Sequence, residues 1–288
     1  MNAVMTMAGV NLSFKVGMGS NTSYKRVLNN LTFAVQPGEV FGFLGPSGSG
    51  KTTTIKLLTR QLKKDSGNIS LFRRPIENAS DSDYERIGIL SDTSALYDRL
   101  SIEDNLKFYA KVRGVSAKGI PALLERMNLF EDRKTLIKNC SKGMRQRAAL
   151  LAALIHSPEL LFLDEPTSGL DPAARAEVHR MLAELKEAGT TVFLTTHDMF
   201  EADNICDRVA ILNEGHVVAC DSPQKLKLAH ARNQITIHTK TQGVISTTKD
   251  AAGAAIINKL LESGECLSIH SDEPNLEEVF LDLTGREF

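Results

Sequence analysis

An α/β fold built around a largely parallel sheet is the architecture this sequence predicts, and three observations carry it. An apolar run at residues 40–44 leads into Gly45-Pro-Ser-Gly-Ser-Gly-Lys51-Thr52 and then into the helix-compatible Thr53-Thr-Ile-Lys-Leu-Leu-Thr59. A second apolar run, Leu160-Leu-Phe-Leu163, ends in the carboxylates Asp164 and Glu165. A helical pattern from Asp171-Pro172 follows, and then a third apolar run, Thr191-Val-Phe-Leu-Thr195. Short continuous apolar runs alternating with helices fit a sheet buried on both faces, because parallel strands are covered by their crossover helices.

The segment between the first of these strands and its helix fits the pattern G-x-x-x-x-G-K-[ST] at every fixed position. Its glycines let consecutive backbone N–H groups turn inward as an anion-binding concavity, and the new helix adds its positive end. Lys51 is placed to reach terminal phosphates and the Thr52 hydroxyl to ligate Mg²⁺. Gly45, Pro46, Ser47, Gly48, Ser49, Gly50, Lys51, Thr52 and Thr53 are therefore the candidate nucleotide-binding residues. The chain is expected to bind a nucleoside triphosphate.

Bulk properties narrow the class. With 288 residues, 42% hydrophobic and 24% charged, the chain has room for one large α/β domain and a smaller one. A formal charge of −1 gives no whole-chain case for nucleic acid or an anionic membrane surface. Cys140, Cys206, Cys220 and Cys266 show neither metal-ligand nor disulfide-framework spacing, as expected of reduced thiols in a cytosolic protein. No basic-then-apolar signal pattern opens the sequence, and no apolar run approaches a membrane span. Any service to a membrane is expected from the cytosolic face, through a partner.

Along the chain, strand-like segments at residues 10–15 and 27–35 precede the phosphate loop, separated by a polar, glycine-rich stretch at 17–23. Helical signals dominate residues 101–157: Ser101-Ile-Glu-Asp104 resembles a capping box, Pro121 suits a first helical position, and 144–155 is a strong helix candidate. In the helix after Asp171, Val178, Met181, Leu182 and Leu185 share a face, and Gly189 ends it. Residues 207–212 and 216–220 read as a hairpin through Asn213-Glu-Gly215. The texture changes near residue 230, with strands at 234–240 and 243–248, a helix at 250–263, an extended segment at 266–270 and a last helix at 276–283. Domains of 1–230 and 231–288 follow from that shift.

The carboxylates after the second apolar run sit where ligands bind in open α/β sheets, beyond the strand's C-terminal end. Asp164 is the metal-side candidate and Glu165 the candidate base for an attacking water. With the phosphate loop and this strand in hand, the chain resembles the ATP-binding subunit of an ABC transporter over about residues 8 to 225. Gly45 to Thr52 matches the Walker A loop and Leu160 to Glu165 the Walker B strand. Ser168-Gly-Leu-Asp171 matches the D-loop, and His197 in Thr195-Thr-His-Asp198 the switch histidine. Cys140-Ser-Lys-Gly-Met144 occupies the signature position, with Lys142 and Met144 replacing a glycine and a glutamine of the commoner form.

The resemblance implies roles. Two subunits pack head to tail, so ATP at one loop is capped by the partner's signature residues, here Ser141, Lys142, Gly143 and Met144. Ser141 also suits a plain helix N-cap, and the two roles are compatible. His197 is expected to contact the γ-phosphate and help orient Glu165 or the water; Ser168 and Asp171 belong to the D-loop. At the family's adenine-stacking position the aligned residue is Val16, with Phe14 and Tyr24 nearby; Tyr24 is the candidate, against a surface or packing aromatic. Asp92 stands where the family carries glutamine, either as a modified metal contact or as an ordinary loop residue.

The expected architecture is thus a P-loop NTPase core with a mixed, largely parallel sheet, an antiparallel β subdomain, and a helical subdomain inserted at about 93–157. A small C-terminal α/β appendage follows, and its ending resembles subunits of drug, antibiotic-peptide or polysaccharide exporters. The resemblance implies ATP hydrolysis with Mg²⁺, a homodimer, a separate membrane-spanning permease, and no nucleic-acid partner. The alternative from another class is a soluble ABC ATPase acting on ribosomes or DNA, but the chain carries neither a second cassette nor a long coiled-coil insert. A GTP-dependent switch would need Asn-Lys-x-Asp, and Asn258-Lys-Leu-Leu261 lacks the acid.

Overall fold

In the computed structural model, which describes residues 3–17, 23–91, 96–271 and 273–285, the chain divides into two compact units, Met1–Ser222 and Pro223–Glu287. The first begins with β1 (Met5–Val16) and β2 (Ser23–Val35), an antiparallel pair. β1 starts earlier than its turn signals suggest. Met5 and Met7 already point inward, and the alternation survives Gly9 because the register shifts between Met7 and Val10, a bulge the left-handed Gly9 (φ 61°) accommodates.

β3 (Val40–Leu44) is buried at every position, as a central parallel strand should be, and α1 (Lys51–Leu58) follows the phosphate loop. β4 (Ser66–Leu71) and the short β5 (Arg74–Pro75) complete a four-stranded sheet in the order β2-β1-β4-β5. After α2 (Asp81–Glu85), β6 (Ile87–Leu90) enters the main sheet. α3 (Ile102–Val112), α4 (Ile120–Arg126) and α5 (Lys142–Leu154) form the helical insertion, and β7 (Leu160–Asp164) returns parallel to β6. The insertion is therefore the crossover that two parallel neighbours require.

α6 (Pro172–Glu187), capped by Asp171 with Pro172 in its first turn, leads to β8 (Thr191–Thr196). Val178, Met181 and Leu182 of α6 are buried as the periodicity predicts; Leu185 is half-buried. α7 (Met199–Ile205) and the hairpin β9 (Arg208–Asn213) and β10 (His216–Asp221) close the unit. The main sheet runs β10-β9-β3-β8-β7-β6, parallel throughout except for the β10 edge. Aromatic rings lock the two sheets together: Phe33 of β2 lies 5.6 Å from Phe41, 5.1 Å from Phe43 and 5.9 Å from Phe193. Each such pair adds about 0.5–1.5 kcal/mol beyond area burial.

The second unit contains α8 (Pro223–Ala229), β11 (Gln234–Thr239), β12 (Val244–Thr248), α9 (Ala251–Glu262), β13 (Cys266–Ser271) and α10 (Leu276–Thr284). Its strands form an antiparallel sheet ordered β12-β11-β13, with α9 packed on it and α8 against α10. Ile237, Leu260, Leu276, Val279 and Phe280 form its buried core. The textural shift in the sequence lies near residue 230, whereas the compact units part after Ser222, because α8 packs with α10.

Candidate functional site

Strand order builds the site. β8 lies between β3 and β7, with Leu44 opposite Thr196 and Asp164 opposite Thr195. The loop after β3, the carboxylates at the end of β7 and the histidine after β8 therefore emerge side by side at the C-terminal edge of the sheet, the edge where α/β folds bind ligands.

The phosphate loop is fixed by close approaches. A Cβ on Gly45 would stand 2.5 Å from the Leu212 carbonyl oxygen, and one on Gly50 2.6 Å from Leu28 Cδ2. Gly50, at φ 114°, also caps α1 in a conformation that L side chains rarely adopt. The first bond into α1 is Thr54 N–H to the Gly50 carbonyl, so the N–H groups of Lys51, Thr52 and Thr53 precede the helical ladder. These are the donors an anion needs at a helix start.

Lys51 is only 6% exposed, and its Nζ donates to the Gly45 carbonyl at 2.7 Å and the Pro46 carbonyl at 3.3 Å. Burial pulls the pKa of its ammonium below the usual lysine value, while the facing Glu165 carboxylate works in the opposite direction. Thr52 Oγ1 donates to Asp164 Oδ2 at 2.8 Å, and Thr195 Oγ1 donates to Asp164 Oδ1 at 2.5 Å. Both oxygens of Asp164 are thus aimed by hydroxyls from neighbouring elements.

Glu165 adopts the left-handed region, at φ 49°, which costs about 1–2 kcal/mol for a residue with a Cβ. Its N–H offsets that strain by donating to the Thr195 carbonyl at 3.0 Å and Thr195 Oγ1 at 3.2 Å. The resulting turn aims the carboxylate between two nitrogens: Oε2 is 2.9 Å from His197 Nδ1, and Oε1 is 3.6 Å from Lys51 Nζ. At 30% exposure the carboxylate is still open to water.

A cavity of about 220 Å³ is lined by Val27, Ser47, Gly48, Gly50, Lys51, Thr52, Thr53 and Glu165. Ser49 Oγ, within this loop, is buried without a hydrogen-bond partner, and Ser49 does not line the cavity. The Lys51 ammonium, the helix-start N–H groups and the Thr52–Asp164 pair fit a Mg²⁺–triphosphate. A larger cavity of about 450 Å³, over Leu57, Leu62, Ile69 and Ile76, includes none of these groups.

Sequence comparison carries the same message. A family model described as "ABC transporter" matches residues 28–168. A fluoroquinolones export ATP-binding protein of Mycobacterium tuberculosis is 39% identical over 266 residues, covering 90% of this chain and 88% of the relative. The chain belongs to the ATP-binding subunits of ABC transporters. It is an ATPase. A linearmycin resistance ATP-binding protein of Bacillus subtilis is 33% identical, covering 91% of this chain and 94% of the relative. A solved ATP-binding subunit of an ABC transporter superposes with a TM-score of 0.68 at 27% identity, covering 79% of this chain and 93% of that one.

Other residues of this ATP-binding subunit lie apart from the cavity. Ser141 caps α5, its hydroxyl accepting from Met144 N–H at 3.1 Å, so Lys142, Gly143 and Met144 form the first turn of that helix. None of the four lines the cavity. Ser168 N–H donates to the Glu165 carbonyl at 3.2 Å, which ties the segment expected to be the D-loop to the carboxylate turn. Asp171 caps α6, and the N–H of Ala174 holds its carboxyl below the usual range. Tyr24 stands on β2 opposite Lys15 with 72% of its surface exposed and does not line the cavity; Val27 of the same strand does. Asp92 lies outside the described residues.

Val27 and Thr195 are site residues that motif reading passes over. Val27 looks like any strand valine until β2 is laid beside the loop. Thr195 reads as strand, yet its hydroxyl and carbonyl hold both Asp164 and Glu165.

Proposed function

We propose that two copies of this chain sandwich two ATP and drive export through a separate membrane-spanning permease. The single observation that carries the hydrolytic half is the Glu165 carboxylate, 2.9 Å from His197 and 3.6 Å from the phosphate-loop lysine. Lys51 and the N–H groups of Thr52 and Thr53 would hold the β- and γ-phosphates, and Thr52 with Asp164 would hold Mg²⁺. Magnesium, when bound, neutralises phosphate charge that otherwise repels a nucleophile. Glu165 takes a proton from the attacking water, and His197 fixes the carboxylate and donates toward the γ-phosphate. The exposed Tyr24 ring is offered to adenine, and Asp92 is proposed to reach the metal through water.

The dimer reading rests on Ser141, Lys142, Gly143 and Met144. They open a helix whose N–H groups suit a γ-phosphate, and they do not line their own chain's cavity, which supports their reaching the nucleotide of a second copy. A permease contact is supported on the helical insertion. A cleft of about 270 Å³ between the insertion and Ile89 of β6 is lined by Leu96, Tyr109, Val112, Arg113 and Ala149, beside the exposed Tyr97 and Phe108. Among the described residues no helix is long and apolar enough to cross a membrane. Relatives named for fluoroquinolone export and linearmycin resistance favour an organic small molecule as cargo.

Copurification with the candidate permease, followed by ATPase assay in vesicles, tests the proposal. Cargo-stimulated hydrolysis and vesicle accumulation of the same compound are expected. Stimulation by ribosomes or DNA in the absence of a permease would overturn it.

A further inference from the structure

Beneath the site a second carboxylate is completely enclosed. The Glu201 side chain, in the first turn of α7, is 0% exposed, and three donors from three different segments converge on it. Thr167 Oγ1 donates to its Oε1 at 2.6 Å, Thr196 Oγ1 to its Oε2 at 2.8 Å, and His179 Nε2 of α6 lies 3.0 Å from Oε1. A buried carboxylate with this many partners is costly to disturb, since any donor removed leaves charge uncompensated in a dry site.

The chain positions of those donors give the cluster meaning. Thr167 is two residues beyond Glu165, and Thr196 directly precedes His197. The Thr196 hydroxyl also accepts from Asp198 N–H at 3.0 Å, while Arg175 Nη1 of α6 donates to Asp198 Oδ2 at 2.9 Å. On the other side, Gln146 Nε2 of α5 donates to the Pro166 carbonyl at 2.9 Å. We infer that Glu201 is a positioning residue, which through Thr167 and Thr196 holds the Glu165 turn and the His197 turn as one block. On this view the 2.9 Å Glu165–His197 contact is set from below, by a carboxylate that never meets nucleotide. The inference rests on the hydrolytic reading of Glu165 and His197 given above.

Thr167→Val removes the hydroxyl at nearly constant shape, and Thr167→Ser restores it. In the full-length chain with Mg²⁺ and ATP, Thr167→Val is expected to slow turnover by about tenfold, with KM and nucleotide affinity within about twofold; Thr167→Ser recovers turnover. Glu201→Gln should show the same split between kcat and KM. Hydrogen exchange supplies a readout independent of hydrolysis. Thr167→Val should speed exchange in both residues 166–171 and 196–198, and Thr167→Ser in neither. Wild-type turnover in Thr167→Val, equal losses in the Val and Ser variants, or loosening confined to one segment would overturn the inference. Undiminished turnover in Glu165→Gln would instead sink the hydrolytic reading, leaving the coupled exchange to judge Glu201 by itself.

Discussion

Lys51, Glu165 and His197 form a line of alternating charge capacity at the edge of the sheet, and each side chain is aimed by backbone rather than by chance contact. The ammonium is drawn onto the loop carbonyls of Gly45 and Pro46, and the strained turn at Glu165 is held by Thr195. If Glu165 is the base, Glu165→Gln keeps the shape and the nucleotide contacts but loses proton affinity. Turnover is expected to fall by roughly two to four powers of ten with nucleotide affinity nearly intact, and closed ATP-bound dimers should accumulate on size-exclusion chromatography. Thr52→Ala probes the metal side. It removes the hydroxyl that binds Asp164, so the Mg²⁺ concentration giving half-maximal turnover should rise by about tenfold, while metal-free nucleotide binding changes little. An unchanged Mg²⁺ titration would take Thr52 out of the metal site.

At the scale of elements, the helical insertion is pinned by ions as well as by its apolar face. Glu103 in the first turn of α3 lies 2.5 Å from Lys107 Nζ and 2.8 Å from Lys134 Nζ, which joins the helix to the segment before α5. Those ammoniums, Lys107 foremost, hold the Glu103 carboxyl down to about 2 from its usual 4.5. A depressed carboxylate contributes stability above its unfolded value and loses it as pH falls through the folded one. The melting temperature of Glu103→Gln should therefore lie below wild type at neutral pH, and the gap should close between pH 4.5 and about 2. Thermal melts across that range decide the matter; a gap independent of pH would mean lost packing and no ion pairing.

For the whole molecule, each compact unit has its own buried core, built on Phe41, Phe43, Phe162 and Phe193 in the first and on Ile237, Leu260, Val279 and Phe280 in the second. A chain ending at Ser222 is accordingly expected to fold, bind ATP with near wild-type affinity, and melt within a few degrees of the complete protein. Dimer lifetime or coupling to the permease is where the second unit should be felt. Nucleotide titration and melting of the truncated chain test this. An insoluble product unable to bind nucleotide would show that the second unit completes the first.

Local chemistry was readable from the sequence wherever one short segment dictates it. The phosphate loop, the apolar strands ending at Asp164 and Thr196, the caps at Ser101, Ser141 and Asp171, and the hairpin at β9 and β10 all follow from patterns a few residues long. What the sequence could not supply is adjacency. Nothing in chain order says that β8 inserts between β3 and β7, yet that order brings His197 within 2.9 Å of Glu165, 32 positions away (197 − 165). The same holds for Val27 in the cavity wall, for Thr195 beneath both acids, and for the Glu201 cluster. Each depends on hydrogen bonds or packing between segments remote in sequence, and pairing energies of that kind are settled only when the sheet closes on its core.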